Sequence, residues 1–174
     1  MKSARPEHLS LSALPSPIGE MALASDERGV LRALEFADQD GRLERSLARR
    51  YPTVALRRGA APAAVADALG RYFGGELAAL GEIEWALAGT DFQLQAWRAL
   101  AEIPVGETRT YAQQAAAIGR PRAVRAVGAA NGANPIGIVV PCHRVIGADG
   151  TLTGYGGGVD RKRWLLRHEG VVIE

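Results

Sequence analysis

The sequence predicts an α+β protein of two domains. The first, residues 1–88, is expected to be an antiparallel sheet with helices, and the second, residues 89–174, to be mostly helical. Apolar runs separated by turn residues fill the first third of the chain, whereas helical apolar spacing with capping residues dominates the second half. A chain of 174 residues with 47% hydrophobic and 23% charged side chains can bury the cores of two small domains.

The N-terminal domain is predicted to begin with three strands. Its apolar runs, residues 9–16, 20–26 and 29–36, are broken by Pro-Ile-Gly and Glu-Arg-Gly, which are turn signals, so we expect an antiparallel meander. A charged helix is expected near residues 40–50. The helical spacing of Ala63–Phe73 predicts another helix, which a glycine pair ends. Because no reactive centre is visible here, we interpret this domain as a scaffold.

Two threonines mark helix starts in the C-terminal domain. Thr90 can cap a helix that ends before Ile103, and Thr110 can cap a helix over residues 111–118 that Gly119 closes. In both places the hydroxyl group precedes residues with helical apolar spacing. We therefore expect two capped helices joined by a short connection.

A third helix would complete a helix-turn-helix. Pro121 suits the first turn of a helix that runs to about residue 130 and carries Arg122 and Arg125. Most of this helix is Ala, Val and Gly, side chains that can approach a groove but read few bases. DNA binding without sequence specificity is one interpretation. The other is a structural helix pair, since two helices around a glycine are common.

Positive charge is concentrated in one part of the chain. The net charge is only +2, but no Asp or Glu occurs from Thr108 to Ala148. The same stretch contains Arg109, Arg120, Arg122, Arg125 and Arg144. Its field suits a phosphate backbone, and the alternative is a solvated arginine surface.

The chain has one cysteine, which excludes an intramolecular disulfide and leaves no cysteine set for a zinc site. No stretch approaches the roughly 18 apolar residues that a membrane span needs, and the N-terminus lacks the apolar run of a signal peptide. We therefore expect a cytoplasmic protein with no metal, no cofactor and no membrane partner.

The single cysteine, Cys142, has a setting that favours reactivity. The apolar residues 136–140 predict a buried strand, and Pro141 sets the angle at which the cysteine leaves it. A lone cysteine is by default a small core residue, but the neighbouring His143 and Arg144 favour the thiolate. Adjacent strand residues point to opposite faces, so His143 can serve Cys142 only if the chain turns here or a water bridges them. The histidine also needs an acid to orient it, for which several residues qualify.

Glycine is abundant after the cysteine. Residues 147–159 contain a hairpin signal, Asp149-Gly150, and glycines that allow close approach to a ligand, or simply a surface loop. A last helix is expected over residues 160–169, with its Arg-Lys-Arg cluster in solvent. His8 and His168 are interpreted as structural or solvated.

The segment PCHRVIGADGTLTGYGGGVDRKRWLLRHEG, preceded by RAVGAANGANPIGIVV, closely resembles the O6-alkylguanine-DNA alkyltransferases of the single-chain bacterial type. The dense match runs from about residue 90 to residue 170. The resemblance implies a ribonuclease-H-like N-terminal domain and a winged-helix-like C-terminal domain. It also implies direct-reversal repair, in which O6-alkylguanine, and in some members O4-alkylthymine, is flipped out of duplex DNA and dealkylated irreversibly in a single turnover.

The resemblance assigns roles to individual residues. Cys142 is the alkyl acceptor, His143 activates it through a water, and Glu169 stands behind the histidine. Asn134 braces the turn that carries the cysteine. Tyr111 rotates a phosphate and can protonate the leaving base.

DNA contacts and a base pocket follow in the same way. Arg125 fills the gap left in the base stack, and Arg122 and Ala123 belong to the same DNA-binding segment. The implied partner is double-stranded DNA held through the minor groove by a monomer that can cluster along it. The base pocket is expected to be lined by Val145, Tyr155, Gly156 and Gly137.

Two positions depart from some relatives. Gly132 replaces a cationic DNA contact, which predicts modest phosphate affinity, and Gly137 replaces a bulkier residue, which predicts room for larger adducts. Two other functions are compatible with the residues: a cysteine hydrolase, and a non-catalytic sensor of alkylated DNA or a helix-turn-helix regulator.

Overall fold

The computed structural model describes residues 4–173, which fall into two compact units that divide between Ala88 and Gly89. The first unit is a sheet with helices, and the second is mostly helical. This confirms the predicted α+β class. Within the described residues, no helix has the length and apolar character needed to cross a membrane.

The sheet of the first unit contains the predicted antiparallel meander. Strands β1 (His8–Leu14), β2 (Met21–Asp26) and β3 (Leu31–Phe36) pair in sequence. A fourth strand, β4 (Ala55–Arg58), pairs parallel to β1, which gives the order β3-β2-β1-β4. All four residues of β4 are exposed, so the sequence has no apolar alternation there that could have predicted a strand.

Two helices and a 3₁₀ segment complete this unit. Helix α1 (Arg42–Arg50) buries Leu43 and Leu47 against the sheet. Helix α2 (Ala63–Phe73) has the predicted bounds and packs on a 3₁₀ segment, Leu77–Glu82. These side chains form an ordinary apolar core, as expected of a scaffold.

The second unit is built from four helices and a two-stranded parallel ladder. Its elements are α3 (Asp91–Ala101), β5 (Arg109–Thr110), α4 (Tyr111–Ala117), α5 (Val124–Gly132), β6 (Val145–Ile146) and α6 (Val159–His168). Thr90 and Thr110 cap α3 and α4 through complete capping boxes, as their positions predicted. The indole N–H of Trp97, which is fully buried in α3, donates to the Ala130 carbonyl of α5 at 2.8 Å. The helices are thereby fixed to one another around a small core.

Candidate active site

The apolar run before the cysteine is a turn, and the predicted buried strand over residues 136–140 is wrong. Ile136, Ile138 and Val140 are fully buried, but the Val140 N–H donates to the Ile136 carbonyl at 3.0 Å and closes the backbone on itself. Ile138 has a φ of 68°, a left-handed value that only glycines share among the described residues. A buried turn and a buried strand both hide apolar side chains, so apolarity alone does not separate them.

Asn134 holds this turn together. Its Nδ2 donates to the Val140 carbonyl at 2.8 Å, and its Oδ1 accepts from the Ile136 N–H at 3.0 Å. The Asn134 side chain is buried, so these bonds satisfy backbone groups that water does not reach. The contacts support the bracing role that the resemblance implies.

Cys142 lies at the start of a single 3₁₀ turn, Cys142–Arg144, directly after Pro141. The cysteine is half-buried, whereas His143 and Arg144 are buried. Successive side chains of a 3₁₀ turn are about 120° apart rather than on opposite faces. The chain turn that His143 needs in order to serve the thiol is therefore present.

His143 and Glu169 form a fully buried hydrogen-bonded pair. His143 Nε2 lies 2.9 Å from Glu169 Oε2, and neither side chain is exposed. The other ring nitrogen, Nδ1, is also buried and has no hydrogen-bond partner within residues 4–173. Because Glu169 accepts the Nε2–H, a neutral His143 keeps a lone pair on Nδ1 with which it can take up a proton.

Arg144 binds the same carboxylate. Its Nε donates to Glu169 Oε1 at 2.8 Å and its Nη2 to Oε2 at 3.1 Å, while Nη1 donates to the Ile103 carbonyl at 2.7 Å. The sequence interpretation counted this cation in the positive surface, which is wrong because the side chain is buried. Its effect on the thiol stays a prediction. The guanidinium is buried, and a buried charge needs an anionic partner, which Glu169 supplies.

Burial and charge determine the protonation of this group. Burial lowers the pKa of His143, although the Glu169 carboxylate opposes the shift. Burial by itself would raise the pKa of Glu169, but hydrogen bonds and positive charge from His143 and Arg144 hold that pKa well below its usual value. At neutral pH the pair is therefore a neutral imidazole and a carboxylate, which can receive a proton and stabilise the resulting imidazolium.

Tyr111 and Lys162 meet at one carbonyl. The Tyr111 hydroxyl donates to the Thr153 carbonyl at 3.4 Å, and Lys162 Nζ donates to the same oxygen at 2.8 Å. Lys162 is fully buried, so the prediction that the whole Arg-Lys-Arg cluster is solvated is wrong for its central residue. The missed signal was helical spacing, since Lys162 precedes the buried Leu165 and Leu166 by three and four residues.

The helix-turn-helix consists of α4 and α5, but its turn is longer than predicted. Helix α5 begins at Val124 with Ala123 as its N-cap, so Pro121 and Arg122 lie in the turn and not on the helix. The Ala123 N–H donates to the Arg120 carbonyl at 2.9 Å, which closes a turn before the helix starts. Arg125 is exposed in the first turn of α5, and Arg122 is exposed just before it.

A reciprocal amide pair locks α4 to α5. Gln114 Nε2 donates to Asn131 Oδ1 at 2.9 Å, and Asn131 Nδ2 donates back to Gln114 Oε1 at 2.7 Å. Gln114 Nε2 also donates to the Ala96 carbonyl of α3 at 3.1 Å. The sequence analysis missed both residues, since an amide in a helix gives no sign of its partner on another helix.

The predicted base-pocket residues lie in three segments. Val145 is fully buried in β6, Gly137 is in the Asn134 turn, and Tyr155 and Gly156 are half-buried in the glycine-rich segment. The Asp149-Gly150 signal forms a tight turn, in which the Gly147 N–H donates to the Thr151 carbonyl at 2.9 Å. The role of the four predicted pocket residues as walls of a base pocket stays a prediction.

The remaining histidines lie outside this site. His8 begins β1, and the ring of His168 stacks on Trp164 with ring centroids 4.7 Å apart. The described part of the chain contains no group of three or more His, Cys, Asp or Glu side chains suited to a metal ion.

Comparison with known proteins matches both units to one family. The family model "6-O-methylguanine DNA methyltransferase, ribonuclease-like domain" matches residues 11–87, and "6-O-methylguanine DNA methyltransferase, DNA binding domain" matches residues 91–171. The methylated-DNA–protein-cysteine methyltransferase of Salmonella typhimurium is 51% identical over 162 residues, which cover 92% of this chain and 95% of that one. The chain belongs to this family.

Solved structures of the family have the same fold. The O6-methylguanine methyltransferase of Mycobacterium tuberculosis is 45% identical, with a TM-score of 0.76 over 92% of each chain. The Mycobacterium tuberculosis OGT in complex with DNA is also 45% identical, with a TM-score of 0.73 over 93% of this chain and 92% of that one. The ribonuclease-like and DNA-binding architecture implied by the sequence is confirmed.

Proposed function

We propose that this protein repairs alkylated DNA by direct reversal, moving the alkyl group from O6 of guanine to the sulfur of Cys142. The observation that carries the proposal is the turn in which Cys142 adjoins a buried His143 whose Nε2 is held by Glu169 and whose Nδ1 is unpartnered within the described chain. Family membership supports the same reaction.

The reaction begins with removal of the thiol proton. His143 Nδ1 takes this proton through a bridging water, and Glu169 stabilises the imidazolium through the Nε2–H bond of 2.9 Å. The thiolate attacks the saturated carbon, so that a C–S bond forms and the C–O6 bond breaks. The electron pair leaves on guanine, which takes up a proton from the Tyr111 hydroxyl.

The product makes the protein a single-use reagent. A thioether carbon carries no carbonyl for water to attack, so the alkyl group stays on Cys142. Each molecule therefore repairs one base. A cysteine hydrolase would instead form a thioester and turn over repeatedly, and a sensor would bind without transfer. The thiol with its buried His143–Glu169 pair counts against a sensor, and family membership favours transfer over a hydrolase.

DNA is bound through α4 and α5. The target base must leave the stack before its O6 substituent can reach the thiol, at a cost of a few kcal/mol. Arg125, exposed at the start of α5, fills the gap from the minor groove, while Arg122 and Ala123 lie along the backbone. Tyr111, at the start of α4, rotates the phosphate of the flipped nucleotide.

Recognition of the base involves the segments on either side of the cysteine. Val145, Tyr155 and Gly156 form the walls of the base pocket. Gly137 leaves room for adducts larger than methyl, and O4-alkylthymine is a further substrate.

The protein acts as a monomer that can cluster along DNA. It works in the reducing cytoplasm, where its one cysteine stays a thiol.

A turnover count tests the proposal. Purified protein is mixed with excess duplex carrying one O6-methylguanine, and repaired guanine is measured by nucleoside analysis of the digested DNA. We expect a plateau at one guanine per protein, with slow repair by His143→Ala and none by Cys142→Ala. Guanine that keeps accumulating beyond one per protein contradicts the proposal, as does tight binding with no repair.

A further inference from the structure

A second concentration of positive charge lies in the first unit. No Asp or Glu occurs from Arg45 to Ala66, a stretch that contains five arginines and covers the second half of helix α1 and all of strand β4. The segment from Thr108 to Ala148 also contains five arginines, but in nearly twice the length. Four of the five arginines in the first unit are exposed, and we call these the basic surface: Arg45, Arg49, Arg57 and Arg58.

On α1 the exposed arginines lie on the side away from the core. Leu43 and Leu47 are buried against the sheet, whereas Arg45 and Arg49 are exposed. Residues four apart on a helix are neighbours, and like charges at this spacing repel each other. The repulsion between these two cations is a cost that a bound anion would offset.

Strand β4 carries the other two arginines at the edge of the sheet. Among residues 4–173 it pairs with β1 alone, and it ends the strand order β3-β2-β1-β4. Arg57 and Arg58 are both exposed there. Charged side chains on an edge strand prevent pairing with other chains, which is one reason to find them on β4. That reason does not apply to the arginines of α1, which is not part of a sheet.

The two halves of the basic surface are held close together. Only residues 51–54 connect α1 to β4, and Tyr51 and Val54 pack on the same apolar cluster as Leu43 and Leu47. Even fully extended, this connection spans at most about 18 Å. Duplex DNA carries roughly ten phosphate charges over that length of its axis.

The basic surface has no counter-ion within the part of the chain that the structure describes. Other arginines of this unit are paired: Arg32 Nη2 lies 3.0 Å from Asp26 Oδ2, and Arg42 Nε lies 3.0 Å from Glu35 Oε2. No such ion pair or side-chain hydrogen bond involves the four exposed arginines within that part of the chain. The acidic residue of α1, Glu44, lies in its first turn, at the end away from β4. The surface is therefore available to an external anion.

We propose that the basic surface binds the phosphate backbone of duplex DNA and is a second DNA contact, separate from helices α4 and α5. Guanidinium groups bind phosphate oxygens in bidentate pairs, and a duplex presents phosphates whatever its sequence. The contact therefore adds affinity for any duplex, which keeps the protein on undamaged DNA while it searches. The proposal rests on the proposed function only in that DNA is the partner.

The salt dependence of binding measures this contact. Binding of the full chain to an undamaged fluorescent duplex is followed by anisotropy between about 0.05 and 0.3 M salt, and each lost phosphate contact makes the slope of log affinity against log salt shallower by about 0.9. The variants are two pairs, Arg45→Gln with Arg49→Gln, and Arg57→Gln with Arg58→Gln. In each pair we expect a slope shallower by about one to two and an affinity about tenfold lower near 0.1 M salt.

The matched control is Arg28→Gln, which removes an exposed arginine of the same unit from the turn between β2 and β3. It should keep the native slope and affinity. All variants should keep the native rate at which iodoacetamide modifies Cys142, because the second unit is unchanged. Native slopes in both paired variants would overturn the proposal. An equal loss per removed charge in Arg28→Gln would overturn it too, since the effect would then come from net charge alone.

Cross-linking tests whether the basic surface touches the duplex. In the Cys142→Ala background, Ala48→Cys places a single cysteine on the exposed side of α1, where it takes a photoactivated label. The control is Ala78→Cys, which is exposed in the 3₁₀ segment beside the exposed Glu76. We expect the label at residue 48, and not the label at residue 78, to cross-link an undamaged duplex. No cross-link from residue 48 at saturating duplex would overturn the proposal.

Both measurements use undamaged DNA, so no alkyl group is transferred. A negative result would remove the basic surface from DNA binding and leave alkyl transfer to be judged by the turnover count. Conversely, a protein that fails the turnover count would still show the second contact. The two proposals therefore fail independently.

Discussion

Oε2 of Glu169 lies 2.9 Å from Nε2 of His143, and both side chains are fully buried. Glu169 is held in place from its other side by Arg144, which is itself anchored on the Ile103 carbonyl. The Glu169 carboxylate that contacts His143 is therefore already ionised and held in one orientation. The imidazole is left with a single free nitrogen for the thiol proton.

Protein stability should fall as the pH drops through the histidine range. Burial lowers the pKa of His143 in the folded protein, whereas an unfolded histidine titrates at about 6.5. The unfolded state then binds the extra proton first, so the stability that is present above pH ~6.5 is lost progressively as the pH falls below it. Urea unfolding between pH 5 and pH 8 measures this change.

The matched control for that experiment is His143→Gln, whose amide N–H can reach Glu169 but does not titrate. Its unfolding free energy should change less with pH than that of the native protein over the same range. Parallel pH profiles for the two proteins would mean that His143 is not held neutral by burial.

Removing the amide of Asn134 should open the cysteine turn. Asn134→Ala leaves the Val140 carbonyl and the Ile136 N–H buried without partners, which predicts a loss of roughly 2–4 kcal/mol in unfolding free energy. Asn134→Asp is the sharper variant, because its carboxylate can still accept from Ile136 but cannot donate to Val140. Both variants should slow methyl transfer more than they slow iodoacetamide modification. Equal slowing of the two reactions would argue against a positioning role.

The lock between Gln114 and Asn131 should behave as a coupled pair. Gln114→Leu alone leaves the buried Asn131 amide unpaired and should cost about 1–3 kcal/mol, and Asn131→Leu should cost a similar amount. The double variant replaces both amides and should be more stable than the sum of the single losses predicts. Urea unfolding of all four proteins gives the coupling energy. Strict additivity would show that the reciprocal hydrogen bonds contribute nothing.

Arg125 should matter for damaged DNA and not for the thiol. Its side chain is exposed at the start of α5 and outside the buried His143–Glu169 pair, so Arg125→Ala should keep its stability and its iodoacetamide rate. Repair of a duplex should slow by about tenfold or more, because the cost of unstacking is no longer offset. Arg122→Ala is the matched control and should mainly reduce the dependence of binding on salt. If the two variants slow duplex repair equally, Arg125 acts only as a positive charge.

The helices and the first three strands could be predicted because their signals are local. The threonine caps of α3 and α4 and the turn residues between β1, β2 and β3 each act within a few residues. Strand β4 could not be predicted, since it is held by backbone pairing with β1 and buries no side chain. The shape of residues 136–140 could not be predicted either, because a side chain outside the run, that of Asn134, determines it.

For the candidate site, the reactive residues were easier to predict than the side chains that contact them. Cys142 and His143 were visible from their adjacency, whereas their acid, Glu169, entered only through the resemblance. Two cations were wrongly expected at the surface. Arg144 serves the carboxylate, and Lys162, expected in solvent, lies buried in the site. Sequence adjacency does not reveal which way a side chain points in a turn, and helical spacing did carry the missed signal at Lys162.

The most direct test of the account is the mass of the protein after reaction with a duplex that carries one O6-methylguanine, measured intact and after digestion. The account predicts a gain of one methyl group on the peptide that contains Cys142, saturating at one per molecule and absent from Cys142→Ala. Tight binding to the damaged duplex with no gain in mass would contradict it and would make this protein a sensor.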